Sequence, residues 1–144
     1  MSPYNRAASP APATSYPALD KAWITKGITT AGIEFAEKFG LALATGTDKD
    51  KLTTSQIRNF FGEVRRIQMK PLAESHTDLL LLSPKLAYAA ARSGGAGPQA
   101  FQREMQKALV AVNPDEPTGR EQRFQNFCDL LEAILAYHKV GGGK

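Results

Sequence analysis

The chain has 144 residues, 42% of them hydrophobic, and a formal charge of +4 from 18 Lys and Arg against 14 Asp and Glu. That is material for one hydrophobic core and too little for two. A lone cysteine, Cys128, excludes an internal disulfide, no apolar run of about 18 residues is present to span a membrane, and no charged-then-apolar leader opens the chain; a cytoplasmic protein is expected.

Residues 1–17 are rich in Pro, Ala and Ser, with prolines at 3, 10, 12 and 17, and carry no period that could bury a face. This composition predicts a disordered arm, followed by one helical domain over 18–144. Arg6 is the arm's only charged side chain, so the arm is not an electrostatic tail. A short helix is expected from about Leu19 to Lys26, with Trp23 and Ile24 folding it onto the body. Thr29 or Thr30 then opens a longer helix, in which Ile33, Ala36, Phe39 and Leu43 recur at steps of three and four and Phe35 widens the apolar surface. Gly32 and Gly40 interrupt that pattern, and 46–51, GTDKDK, reads as a polar turn.

The stretch from Thr53 to Lys70 reads as the element around which the rest is built. Ile57, Phe60, Phe61, Val64 and Ile67 line one helical face, Thr53 and Gln56 have the form of a capping box, and Pro71 ends the pattern. From Lys51 to Lys70 five basic residues stand against Glu63 alone, a local excess that equals the charge of the whole chain. Arg58, Gly62, Arg65 and Met69 run along one flank of the apolar stripe, and Arg66 and Lys70 point outward. Gly62 in mid-helix implies that another backbone, of a helix or of a sugar-phosphate chain, comes close. For an isolated helix the plainer reading is a solvated basic face.

Beyond Pro71 a helix is expected over about 73–82, ending in four leucines, 79–82, that call for burial on several sides. Ser83 and Pro84 predict a fresh start, because serine caps and proline suits the first helical position. On the resulting helix, Pro84 to about Arg92, a face of Lys85, Tyr88, Ala89 and Arg92 is set against small residues suited to close packing. The segment 93–97, SGGAG, reads as a flexible loop. Pro98 would begin the next helix, with Phe101, Met105, Ala108, Leu109 and Val112 inward and Arg103 and Lys107 opposite. After a turn at 113–117, Thr118 and Glu121 form a second capping-box pattern, and Phe124, Phe127, Cys128, Leu131, Ile134, Leu135 and His138 make the inner face of the last helix. No strand pattern occurs, so the expected class is all-α, a single-domain bundle of five or six helices.

The chemistry the residues exclude is as informative as the fold. Two histidines, His76 and His138, and one cysteine fall in no metal-ligand spacing, and there is neither a phosphate-binding loop nor a dinucleotide fingerprint, so no cofactor and no metal is expected. His138 lacks an adjacent nucleophile or carboxylate and reads as a satisfied, partly buried side chain rather than a general base. What remains is a basic helical surface of the kind that meets phosphate backbones without reading sequence.

Three segments carry a resemblance: LTTSQIRNFF at 52–61, LSPKLAYAAAR at 82–92 and FQNFCDLLEAILAYHKVGGG at 124–143. In order and separation they resemble the helical small subunit of type III-A CRISPR effector complexes, the Csm type, over about 52–143. None of the three is a catalytic signature. The resemblance implies a non-enzymatic, RNA-binding structural subunit, stacked in several copies of itself beside the other subunits, along the duplex of guide RNA and target RNA. Carried over to this chain, it assigns target-backbone contacts to Arg58, Lys85, Arg92 and Lys139; the helical wheel adds Arg65 and Arg66. The proline-rich amino terminus and the SGGAG after Arg92 depart from the family pattern. Two rival readings are a helical scaffold or adaptor whose basic face binds acidic protein partners without touching RNA, and a nuclease using His138.

Overall fold

The computed structural model describes residues 16–142, which form six helices and no strand: α1 (Ala22–Thr25), α2 (Thr30–Leu43), α3 (Thr54–Gln68), α4 (Leu72–Ser93), α5 (Ala96–Val112) and α6 (Arg120–Val140). The expected all-α bundle is therefore present. Of the arm expected at 1–17, residues 1–15 lie outside the described residues, while Tyr16 packs edge-on against Phe39 with ring centroids 6.4 Å apart.

The bundle is organised around α6 rather than α3. Helix α6 packs against α1, α2, α3 and α5, and buries residues on nearly every side, from Phe124, Asn126, Phe127 and Cys128 through Leu130, Leu131 and Ile134 to His138. Its mixed composition hides this role, because its polar buried members are satisfied individually: Asn126 donates to the Ile24 carbonyl at 2.8 Å and His138 is bonded to a backbone carbonyl of the segment before α3. Gly40 explains the interruption in α2, since a Cβ there would lie 2.7 Å from the Ile134 carbonyl oxygen and 2.8 Å from the His138 nitrogen. The two helix backbones meet at that point. Gly32 makes room in the same way for the Trp23 ring. Ile33, expected inside, is 41% exposed, and Gly32 and Phe35 take the buried positions beside it.

Helix α4 departs most from expectation. The break expected at Ser83 is absent and the helix runs straight through Pro84; within Leu72–Ser93 the kink falls at Ser75 instead. The reason is the uninterrupted inner stripe of Leu79, Leu82, Leu86 and Ala90, which buries only if the helix continues; Pro84 itself is exposed, on the outer side of the helix. The irregular residue is Ser75 (φ −118°, ψ 20°), whose hydroxyl donates to the Pro71 carbonyl. Of the four leucines only Leu79 and Leu82 are buried; Leu80 and Leu81 face outward.

The SGGAG loop contracts to Gly94 and Gly95, and α5 starts at Ala96, two residues before Pro98. Gly94 takes a left-handed conformation (φ 72°), and a Cβ on Gly95 would collide with the Lys49 carbonyl. The α4–α5 turn thus seats directly on the segment leading into α3, where the Gly97 N–H donates to the Asp50 carbonyl at 2.6 Å. The capping box expected from Thr118 and Glu121 does not form; the cap is Gly119 (φ 77°), and Arg123 donates to the carbonyls of Val112, Asn113, Glu116 and Thr118, tying the turn before α6 together.

Candidate nucleic-acid interface

Helix α3 begins as its sequence demands. The Thr53 hydroxyl accepts from the Gln56 N–H at 3.2 Å, and the Gln56 side chain accepts from the Thr53 N–H at 2.7 Å. Tertiary contacts fix where this start lies. The Leu52 N–H donates to the Leu43 carbonyl, and the Leu52 carbonyl lies 2.6 Å from Nε2 of the buried His138 ring. His138 therefore anchors the entry to α3, and its imidazole is enclosed in the core.

Ile57, Phe60, Val64 and Ile67 are buried, and the flank of α3 beside them faces α6 across an open cleft of about 530 Å³. Thr54, Arg58, Phe61 and Arg65 form one wall, at helical steps of four and three; Glu132, Leu135, Ala136, His138 and Lys139 on α6 form the other, with the buried His138 ring at its base. Three cations thus share one cleft with a single carboxylate, and among the described residues none of Arg58, Arg65 and Lys139 is in a salt bridge. The Arg65 guanidinium lies over the Phe61 ring, 5.5 Å from its centroid, which holds it at the cleft wall.

The other sequence-derived cations fall elsewhere. On the far flank of α3, Glu63 takes both Arg66 and Lys85, the latter at 3.0 Å, and these bonds, led by the one from Lys85, hold its carboxyl below the ordinary carboxylate range. Lys85 and Glu63 stand at the mouth of a second cleft of about 380 Å³, walled by Leu52, Phe60, Leu82, Leu86 and Phe101. Arg92 lies two turns further along α4, exposed and without a salt bridge among the described residues. Arg58, Arg65 and Lys139 are brought together; Arg66 and Lys85 meet at Glu63 instead, and Arg92 lines neither cleft. The Glu63–Lys85 pair had no signal in the sequence, because the two residues sit on different helices whose relative turn is set by packing. Gly62, between the arginines, is exposed, and a Cβ there would meet nothing within 4 Å, so among the described residues no helix makes the close approach its sequence position implied.

Among the described residues no three His, Cys, Asp or Glu side chains are placed to hold a metal ion, and no helix is long and apolar enough to cross a membrane. Searches of curated proteins and of solved structures return no significant match. The family model Csm2 Type III-A matches residues 32–144, which takes in all but the first two residues of α2, the whole of α3 through α6, both clefts and the cations Arg58, Arg65, Arg66, Lys85, Arg92 and Lys139. The chain therefore belongs to the Csm2 Type III-A family, the small structural subunit of the type III-A CRISPR Csm complex.

Proposed function

We propose that this subunit is a non-catalytic RNA-binding component of the interference complex, acting in the cytoplasm and stacked in several copies along the guide–target duplex with the other subunits. It contacts the backbone of the target RNA. The observation that supports this reading most is the cleft between α3 and α6, where Arg58, Arg65 and Lys139 converge with no salt bridge among the described residues to neutralise them. Such a surface attracts phosphates of any sequence, which is what a subunit beside a guide-paired strand requires, since base pairing supplies the specificity. Arg92 and, when released from Glu63, Lys85 and Arg66 extend the basic surface beyond the cleft. Each copy engages a few phosphates, and repetition along the assembly supplies the avidity.

The test is single-stranded RNA binding by fluorescence anisotropy across a salt series, with Arg58→Ala, Arg58→Ala/Arg92→Ala and Lys139→Ala. The expected outcome is weaker binding in each variant and a salt slope shallower by roughly 0.7 for every phosphate that the variant no longer neutralises, with thermal unfolding unchanged. Unchanged RNA retention at low salt in the Arg58→Ala/Arg92→Ala variant would refute the proposal and favour an adaptor that meets acidic proteins.

A further inference from the structure

The two clefts open on opposite flanks of α3, and the ridge of the helix between them is bare. At about 100° per residue, Arg58, Phe61 and Arg65 turn toward the cleft shared with α6, while Asn59, Phe60 and Glu63 line the cleft shared with α4 and α5. Gly62 lies on the ridge, exposed, with open space where its Cβ would be. The residues three and four away from it are Arg58, Asn59, Arg65 and Arg66, so three cations and an amide frame a stretch of naked backbone. A glycine in mid-helix costs about 1 kcal/mol against alanine, and among the described residues no packing contact uses the gap it leaves. The gap suits a chain that passes over the ridge from one cleft to the other.

The cleft against α4 and α5 differs in kind from the basic one. Its walls are apolar, Leu52, Phe60, Leu82, Leu86 and Phe101, with the Phe60 and Phe101 rings edge to face and their centroids 5.5 Å apart. Polar groups gather at the mouth, where exposed Asn59 stands beside the pair of Glu63 and Lys85, and Arg66 shares the same carboxylate. Two cations against one carboxylate leave that rim positive. The volume of about 380 Å³ is at the small end of ligand pockets, which run from about 300 to 1,000 Å³. A planar group with apolar faces, a polar edge and a negative charge on its tether satisfies walls, amide and rim together. An unstacked nucleobase is such a group; an aliphatic side chain of a protein would leave the amide and the positive rim unmatched.

Resting on the reading that the α3–α6 cleft holds an RNA backbone, we propose that the strand crosses α3 over Gly62 and inserts one unpaired base into the cleft between α3, α4 and α5, with Asn59 at the edge of the base and Arg66 and Lys85 beside the adjoining phosphate. An amide offers a donor and an acceptor and can turn end for end, and every base carries both on its edge, so the site takes any of the four. It adds affinity without adding sequence preference. A base held in a continuous duplex cannot enter, so the site selects a strand that is unpaired at that position.

The test compares two single-stranded RNAs of equal length and charge, one intact and one with its central bases replaced by abasic ribose, by fluorescence anisotropy with the full chain at low salt. The intact strand is expected to bind about tenfold more tightly. Ala89→Trp fills the cleft from its exposed rim and Asn59→Ala removes the exposed amide. Ala89→Trp should bring the intact strand down to the affinity of the abasic one, and Asn59→Ala should bring it part of the way, with abasic binding and thermal unfolding unchanged in both. Arg58→Ala should weaken the two strands alike. Equal affinity of wild type for the two strands, or Ala89→Trp and Asn59→Ala proteins that tell them apart as well as wild type does, would overturn the base site and leave the backbone reading standing. Failure of both strands to bind would overturn the two together.

Discussion

Glu104 lies fully inside the molecule, between Phe101 and Met105 on the buried stripe of α5. Its oxygens accept from the Leu19 N–H at 2.8 Å, from Arg103 at 2.9 Å and from Lys107 at 2.7 Å. Burial pushes its pKa upward, yet the bonds from Lys107, the Leu19 amide and Arg103 outweigh it and hold the carboxyl below the ordinary range. Arg103 and Lys107, which sequence places opposite the core, therefore reach back over the helix to a charge that the same sequence places inside it. A depressed carboxylate adds stability that is complete above its unfolded pKa of about 4.3 and is lost as the pH falls through the lower folded value. Glu104→Gln keeps one acceptor oxygen and removes the charge. Chemical unfolding at neutral pH should show a loss of about 1–3 kcal/mol, and the gap from wild type should close in acid. A gap that stays constant down to strongly acidic pH would show that shape, not charge, is what Glu104 supplies.

Two glycines separate packing from propensity at the scale of the helix. Gly40 is where α2 and α6 touch backbone to backbone, so Gly40→Ala forces the helices apart, and a loss of about 3 kcal/mol is expected. Gly62 in α3 has open space where its Cβ would be, so Gly62→Ala should raise stability by about 0.5–1 kcal/mol through helix propensity alone. Thermal denaturation of the two variants checks both signs at once. A stabilised Gly62→Ala protein that binds RNA more weakly would add that the strand passes over that bare stretch of backbone. Helix α4 makes the complementary point: the local rule that Ser-Pro begins a helix lost to a buried stripe running across it. Burying Leu79, Leu82, Leu86 and Ala90 outweighs about 3 kcal/mol for an internal proline, since each large side chain contributes about 1.5–3 kcal/mol.

For the molecule as a whole, Cys128 reports on cooperativity. The thiol is buried on α6, and burial pushes its pKa up to about 12, so it is unreactive while the bundle is intact. Because α6 touches four other helices, no local opening frees it, and its labelling by a thiol reagent should follow global unfolding. The Gly40→Ala variant should then label faster by about a hundredfold, the factor that about 3 kcal/mol implies. Rapid labelling of wild type at a rate that Gly40→Ala leaves unchanged would mean that α6 loosens by itself.

By itself the sequence determined the helical class, the capped start of α3, the inner faces of α3 and α5 and most of α6, because each follows from a period of three to four residues and from caps that act over one turn. A local excess of charge drew attention to Arg58, Arg65 and Arg66 and a shared helical face to Lys85 and Arg92, whereas Lys139 was assigned by the family resemblance alone. Only the tertiary structure decided which helix is central, that α4 continues through Pro84, and that Glu63 holds Arg66 and Lys85 while Arg58, Arg65 and Lys139 share a cleft. Those outcomes depend on the rotation of each helix about its own axis against its neighbours. That rotation is settled by the joint burial of many side chains at once, and no single stretch of chain encodes it.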